Sequence, residues 1–162
     1  MVSGPGSDVF LISSTIPLQA DGNLDGIEGT LNIEAGAGIN TLTVNDSSGT
    51  TNENVTLSAN QITGFAGRSN DVTIFYSATD GSFDTPDQRD IFLLGSRAQA
   101  NTFHIQGTPE ESTAWIEGSS EDDVFQVSSD APANQGNLDG IGGNLTIEAF
   151  EGTANRLVVS DF

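Results

Sequence analysis

The chain has 162 residues, of which 23 are acidic and four are arginines, with no lysine, for a formal charge of -19. Such a surface repels nucleic-acid phosphates and anionic lipid, and the absence of cysteine excludes disulfides and thiolate metal sites. No apolar run approaches the ~20 residues of a transmembrane helix, so membrane insertion is not expected, and the length suffices for one domain with a real core.

Residues 1–7 read as a flexible lead-in without the basic stretch and apolar core of a signal peptide; any targeting signal is expected outside this stretch. Asp8 to Ile12 predicts a short strand with Phe10 and Ile12 on one face. Residues 13–28 form a polar loop whose anchors are Leu24 and Ile27, turning at Asp25-Gly26. Thr30 to Glu34 and Thr41 to Asn45 alternate as strands, with Leu31, Ile33, Leu42 and Val44 inward and Thr41 and Thr43 outward. Between them lies a tight corner, in which Gly36 and Gly38 tolerate positive φ and Asn40 leads into the next strand. A polar loop, Asp46 to Asn54, precedes strands at Val55 to Ser58, Gln61 to Phe65 and Val72 to Tyr76; a loop rich in Asp, Gly and Pro runs from Ala78 to Arg89.

Four short β-runs follow: Asp90 to Leu94, Asn101 to Ile105, Thr113 to Ile116 and Asp123 to Val127. Their central aromatics, Phe92, Phe103, Trp115 and Phe125, are spaced by 11, 12 and 10 residues. That step is too short for a helical crossover, and no segment makes a convincing amphipathic helix. Two steps make one coil, so the pattern predicts an all-β, right-handed parallel β-helix or β-solenoid. Phe103 and Phe125 would stack one coil apart, with Phe92 and Trp115 in the opposite wall. A β-sandwich is the competing fold, since strands at such intervals signal that class too.

The chain also repeats itself. Asp8-Val9-Phe10 returns at Asp123-Val124-Phe125, Gly22 to Ile27 at Gly136 to Ile141, Leu31-x-Ile33-Glu34-Ala35 at Leu145-x-Ile147-Glu148-Ala149, and Asn40-x-Leu42-x-Val44 at Asn155-x-Leu157-x-Val159, at offsets of 114 or 115. Residues 8–122 form one full unit and 123–162 a partial second unit of the same continuous domain. The stretch therefore reads as an excerpt of a longer array.

The corner Gly4-Pro5-Gly6-Ser7-Asp8-Val9-Phe10 resembles the nonapeptide repeat of RTX proteins, Gly-Gly-x-Gly-x-Asp-x-(large apolar)-x, whose copies stack into a β-roll with calcium between the turns. Ser3 replaces the first glycine; at the next corner Gly36, Gly38, Asn40 and Leu42 fill the pattern with an amide for the carboxylate, and the third corner, Gly118, Ser119, Glu121, Asp123 and Phe125, keeps the aspartate and loses two glycines. The long unit is similar to the degenerate "β-strand repeat" segments of very large bacterial surface or secreted proteins. That resemblance implies an extracellular or bacterial cell-surface setting, a structural or adhesive function, partners that are copies of itself or neighbouring repeats, and calcium as the one candidate cofactor.

Calcium asks for roughly six to eight oxygens, several from carboxylates. The candidate ligands are Asp8, Asp90, Asp122 and Asp123, within the acidic loops Glu121-Asp122-Asp123 and Asp80, Asp84, Asp87, Asp90. The competing reading gives the Asp or Asn at the head of each strand a backbone-satisfying task, as in an Asx-turn. No enzyme is expected. The single histidine, His104, alternates with Phe103 and Ile105 and is expected on the surface, and without lysine there is no phosphate loop. Three functions remain: a structural module of a long extracellular rod, fibre or adhesin stalk associating through its ends or edges; a calcium-dependent module binding a glycan or a cell surface, with Tyr76, Trp115 and His104 as a candidate sugar platform; and, remotely, a polysaccharide-degrading β-helix enzyme. Thr41 and Thr43 are the outward pair that an ice-binding face would need, though one pair is not a rank.

Overall fold

The structure is a computed structural model that describes residues 1–15, 21–67, 71–85 and 89–162. Arg68 and the candidate ligand Asp87 lie outside the described residues. In chain order the strands are β1 (Val9–Ile12), β2 (Thr30–Glu34), β3 (Gly38–Ile39), β4 (Thr41–Asn45), β5 (Asn54–Ser58), β6 (Gln61–Phe65), β7 (Val72–Ser77), β8 (Gly81–Ser82), β9 (Ile91–Leu94), β10 (Thr102–Ile105), β11 (Thr113–Glu117), β12 (Val124–Val127), β13 (Asn144–Glu148) and β14 (Arg156–Val159). The fold is all-β.

One sheet has the order β1-β4-β9-β11-β13, a second β14-β12-β10-β5-β6-β7-β2, and a small third joins β3 to β8. The chain alternates between the two large sheets, so the connection between parallel neighbours in one sheet runs through a strand of the other. Parallel pairing always needs such a crossover, and here a strand takes the place usually held by a helix. All the ladders from β9 to β14 are parallel.

The alternating aliphatics form a single core between the sheets: Phe10, Leu42, Val44, Ile91, Leu93 and Ile116 on one side, Ile33, Val55, Leu57, Phe103, Ile105 and Phe125 on the other. Each such side chain contributes about 1.5–3 kcal/mol by leaving water. Phe103 and Phe125 are cross-strand partners and stack with ring centroids 5.4 Å apart and planes 5° from parallel, as the spacing predicts.

The opposite wall is different. Phe92 and Trp115 are indeed in register, but they point away from the core, and Ile91, Leu93, Ala114 and Ile116 fill it instead. In Ile91-Phe92-Leu93-Leu94 every residue is apolar, so alternation cannot say which face is inside, and the larger ring went outward. A second departure is the antiparallel meander β5–β6–β7, wedged into the seven-stranded sheet between β10 and β2. Its first hairpin turns on Ala59-Asn60, a pair outside the usual glycine-bearing turns.

The glycine corner is held by close contact between levels. Gly36 (φ +67°) and Gly38 (φ +106°) lie in the left-handed region, and a Cβ on Gly38 would sit 2.4 Å from the Gly6 carbonyl oxygen. Gly38→Ala is therefore expected to cost about 2 kcal/mol or more from strain and displaced backbone together. A urea midpoint unchanged by that substitution would refute the account.

The sequence repeat is a structural repeat. Ser14 N–H donates to the Asn23 carbonyl at 2.8 Å and Ser129 N–H to the Asn137 carbonyl at 2.8 Å. Leu24 N–H donates to Asp46 Oδ1 and Leu138 N–H to Asp161 Oδ1; Ser48 N–H donates to the Gly22 carbonyl and Phe162 N–H to that of Gly136. The two copies lie in opposite sheets: β1 and β4 in the five-stranded sheet, their counterparts β12 and β14 in the seven-stranded one.

Burial separates the copies. Leu42 and Val44 are 0% exposed, whereas their counterparts Leu157 and Val159 are 59% and 54% exposed. Beside them Val127, Leu138, Ile141, Leu145 and Ile147 complete the lining of an open apolar cavity of about 570 Å³ at the β13–β14 end of the core.

Candidate functional site

The residues at the heads of the strands hold the levels together. Asp8 N–H donates to Asn40 Oδ1 at 3.0 Å, Asn101 N–H to Asp123 Oδ1 at 2.7 Å, and Asp123 N–H to Asn155 Oδ1 at 2.8 Å. In each case a side-chain oxygen on one level accepts a backbone N–H from the level before. The three amides also donate: Asn40 to the carbonyls of Gly38 and Ser82, Asn101 to those of Ser96 and Gln99, and Asn155 to those of Ala149 and Gly152. Asn40 and Asn155 thus use both halves of the amide, as acceptor and as donor, whereas the buried Asn101 Oδ1 has no hydrogen-bond partner.

The aspartates stand where donors converge. Buried Asp123 accepts from the backbone N–H and the amide of Asn101, and from the N–H and hydroxyl of Ser119. Buried Asp90 accepts from Thr85 through its N–H (2.6 Å) and hydroxyl, and from Thr113 N–H at 2.6 Å. Exposed Asp122 accepts from Ala154 N–H at 2.7 Å and from the Thr153 hydroxyl. Asp8 Oδ2 is buried without a hydrogen-bond partner. Among the described residues no three His, Asp or Glu side chains gather as a metal-binding group, and apart from the adjacent Asp122 and Asp123 the four candidate ligands occupy separate corners.

A site that the sequence did not announce lies between two loops. Asp46 and Glu53 are both buried and hydrogen-bonded to each other through their side chains. Asp46 Oδ1 accepts from Leu24 N–H at 2.6 Å and Glu53 Oε2 from Ala66 N–H at 2.6 Å, so each carboxyl pins a different loop. The Thr51 hydroxyl adds a donor to Glu53 Oε1. Burial, then the hydrogen bond and negative charge of Glu53, push the Asp46 carboxyl up to about 8. Burial raises Glu53 as well, against the hydrogen bonds from Ala66, Asp46 and Thr51. Two close carboxyls in a poorly solvated place cannot both ionise cheaply, and the pair holds a proton at neutral pH.

His104 is on the outer face, as its alternation predicts, but it is not a surface residue. It is only 8% exposed, and its Nε2 lies 2.9 Å from Asn54 Oδ1, which as a carbonyl oxygen accepts. Burial lowers its affinity for a proton. The three residues of the sugar platform do not meet. Tyr76 is in the core, donating its hydroxyl to the Ser58 carbonyl at 2.6 Å. Trp115 carries the Arg89 guanidinium 3.9 Å above its ring, and the same guanidinium lies 4.4 Å from the Phe92 centroid and 3.0 Å from Glu117 Oε1. Nor does Thr43 begin a threonine rank. Its register neighbours along the five-stranded sheet are Leu11 and Phe92, followed by Trp115. Comparison with known proteins finds no match, whether among protein-family models, curated proteins or solved structures.

Proposed function

We propose that the chain is a structural repeat module of a long extracellular rod, surface fibre or adhesin stalk, wound as a right-handed parallel β-solenoid and associating through its ends or edges. The observation that carries this reading is the duplicated unit, which takes up the same hydrogen bonds twice, in opposite sheets bounding one continuous core. Stacked levels that share a core gain stability from their neighbours, which is the economy of a repeat protein. The acidic surface suits a setting where salt screens its repulsion. The buried acid pair is a structural pin in this reading and no catalyst is invoked.

A second reading, a calcium-dependent module that binds a glycan or a cell surface, is favoured by Asp8, whose buried Oδ2 has no hydrogen-bond donor. Solution scattering over a concentration series, in calcium and in chelator at matched ionic strength, tests both. The rod module predicts particles that lengthen with concentration at constant cross-section, equally in the two buffers. Lengthening or stiffening confined to calcium would favour the second reading, and a monomer of fixed dimensions in both would refute self-association.

A further inference from the structure

We infer that the open end at β13 and β14 is an acceptor surface for one kind of occupant: a further copy of this chain's own residues 47–122. The proposal rests on the structural-module reading and adds to it a direction and a named partner. It comes from comparing the two copies of the repeat. In the first copy β2 is covered by β7, with Leu31 opposite Ile74 and Ile33 opposite Tyr76, and β4 is covered by β9, with Leu42 opposite Ile91 and Val44 opposite Leu93. The second copy presents the same strands with the same inward residues, Leu145 and Ile147 on β13 and Leu157 and Val159 on β14, and these line the open cavity. What β4 buries in the first copy, β14 displays in the second, while Leu145 and Ile147 on β13 are partly buried.

The backbone agrees. In the first copy Thr41 N–H donates back to the Asp8 carbonyl, and Leu42 N–H donates forward to the Asp90 carbonyl at 2.7 Å. In the second copy Arg156 N–H donates back to the Asp123 carbonyl at 2.9 Å. Parallel ladders send successive N–H groups to alternate sides, so the amides of Leu157 and Val159 face the open side of β14, which ends its sheet. A β9-type strand brings the carbonyl that Leu157 needs together with the Ile and Leu that fill the cavity. The β1–β2 end is unlike this one, because Phe10, Ile12 and Ile33 are already buried there. Growth is therefore directional.

The test is a chain extended after Phe162 by a second copy of residues 47–122, compared with the 162-residue chain by amide exchange. The Leu157 and Val159 amides are expected to slow by on the order of a hundredfold, together with those facing outward from β13. The same extension carrying Ile91→Asp and Leu93→Asp in the added copy alone should leave them fast. Fast exchange at Leu157 in an extended chain whose core amides are protected would overturn the inference. Should the extension disturb the whole fold, Nile red decides on the 162-residue chain: binding abolished by Leu157→Glu at unchanged melting temperature supports an acceptor end, and binding unaffected by it overturns one. Slow exchange in the extended chain together with a fixed monomer in solution scattering would refute self-association while leaving the acceptor end in place.

Discussion

Replacing Asn101 by aspartate is expected to destabilise the protein by roughly 3–5 kcal/mol at neutral pH, far more than Asn101→Ala. The substitution keeps shape and swaps one atom. In the native protein Asn101 is buried, and its Nδ2 donates to the Ser96 and Gln99 carbonyls and to Asp123 Oδ1. An aspartate would set oxygen against oxygen at all three places, facing the Ser96 and Gln99 carbonyls at 2.9 and 3.0 Å and the buried, negatively charged Asp123 carboxylate at 3.1 Å. The site would have to take up a proton or open. The defect should accordingly shrink as pH falls toward 4, because a protonated side chain can donate again. Urea unfolding of the two variants at pH 7 and pH 4.5 measures this. Equal losses for alanine and aspartate at both pH values would show that the amide donations do not matter.

Stability is also expected to fall between about pH 4 and pH 8 through the acid pair. The unfolded chain releases the Asp46 proton near the ordinary 3.8, whereas the folded protein keeps it up to about 8. A proton held more tightly by the folded state stabilises it fully below the lower value, and that contribution is lost as pH climbs to the upper one. The slope in that window reaches about 1.4 kcal/mol per pH unit for a single retained proton. Charges facing the pair, Asp25 beside Asp46 and Asp71 beside Glu53, act in the same direction, while the Leu24 and Ala66 N–H groups favour ionisation and oppose it. Asp46→Asn cannot ionise, and its oxygen can still accept from Leu24. The variant should therefore flatten the profile and overtake the parent at alkaline pH. Melting curves of both proteins from pH 4 to 9 provide the check, and parallel profiles would refute proton retention at this site.

Strand positions were legible because short apolar-bearing runs are bounded by turn residues, and most of them alternate. Thr30–Glu34, Thr41–Asn45 and Gln61–Phe65 are found where their patterns place them. Facing direction was legible where one side is polar, as at Phe103-His104-Ile105, and illegible where both are apolar, as around Phe92. Pairing sense left no mark on β5, β6 and β7, since alternation is the same in parallel and antiparallel ladders. The acid pair was hidden for another reason. Asp46 and Glu53 sit in a stretch that reads as a solvated loop, and only folding buries them under the segments carrying Leu24 and Ala66. One hint was available: Asp161 repeats Asp46, and a loop aspartate that recurs with its surroundings is being used for something.

The exchange of sheets between the two copies has a geometric consequence. From β1 to its counterpart β12 the path visits β2, β4, β5, β9, β10 and β11 in turn, passing seven times from one large sheet to the other, with β6 and β7 staying in the sheet of β5. In an array of such units, an odd number of passages would bring each unit to the far side of the axis from its predecessor. Tandem units would then be related by a half rotation with translation, a twofold screw, and any outward residue would alternate between opposite flanks. A patch such as Arg89 above Phe92 and Trp115 would return to the same flank only at every second unit, so anything gripping one flank would sample the array at twice the spacing that the sequence repeat suggests.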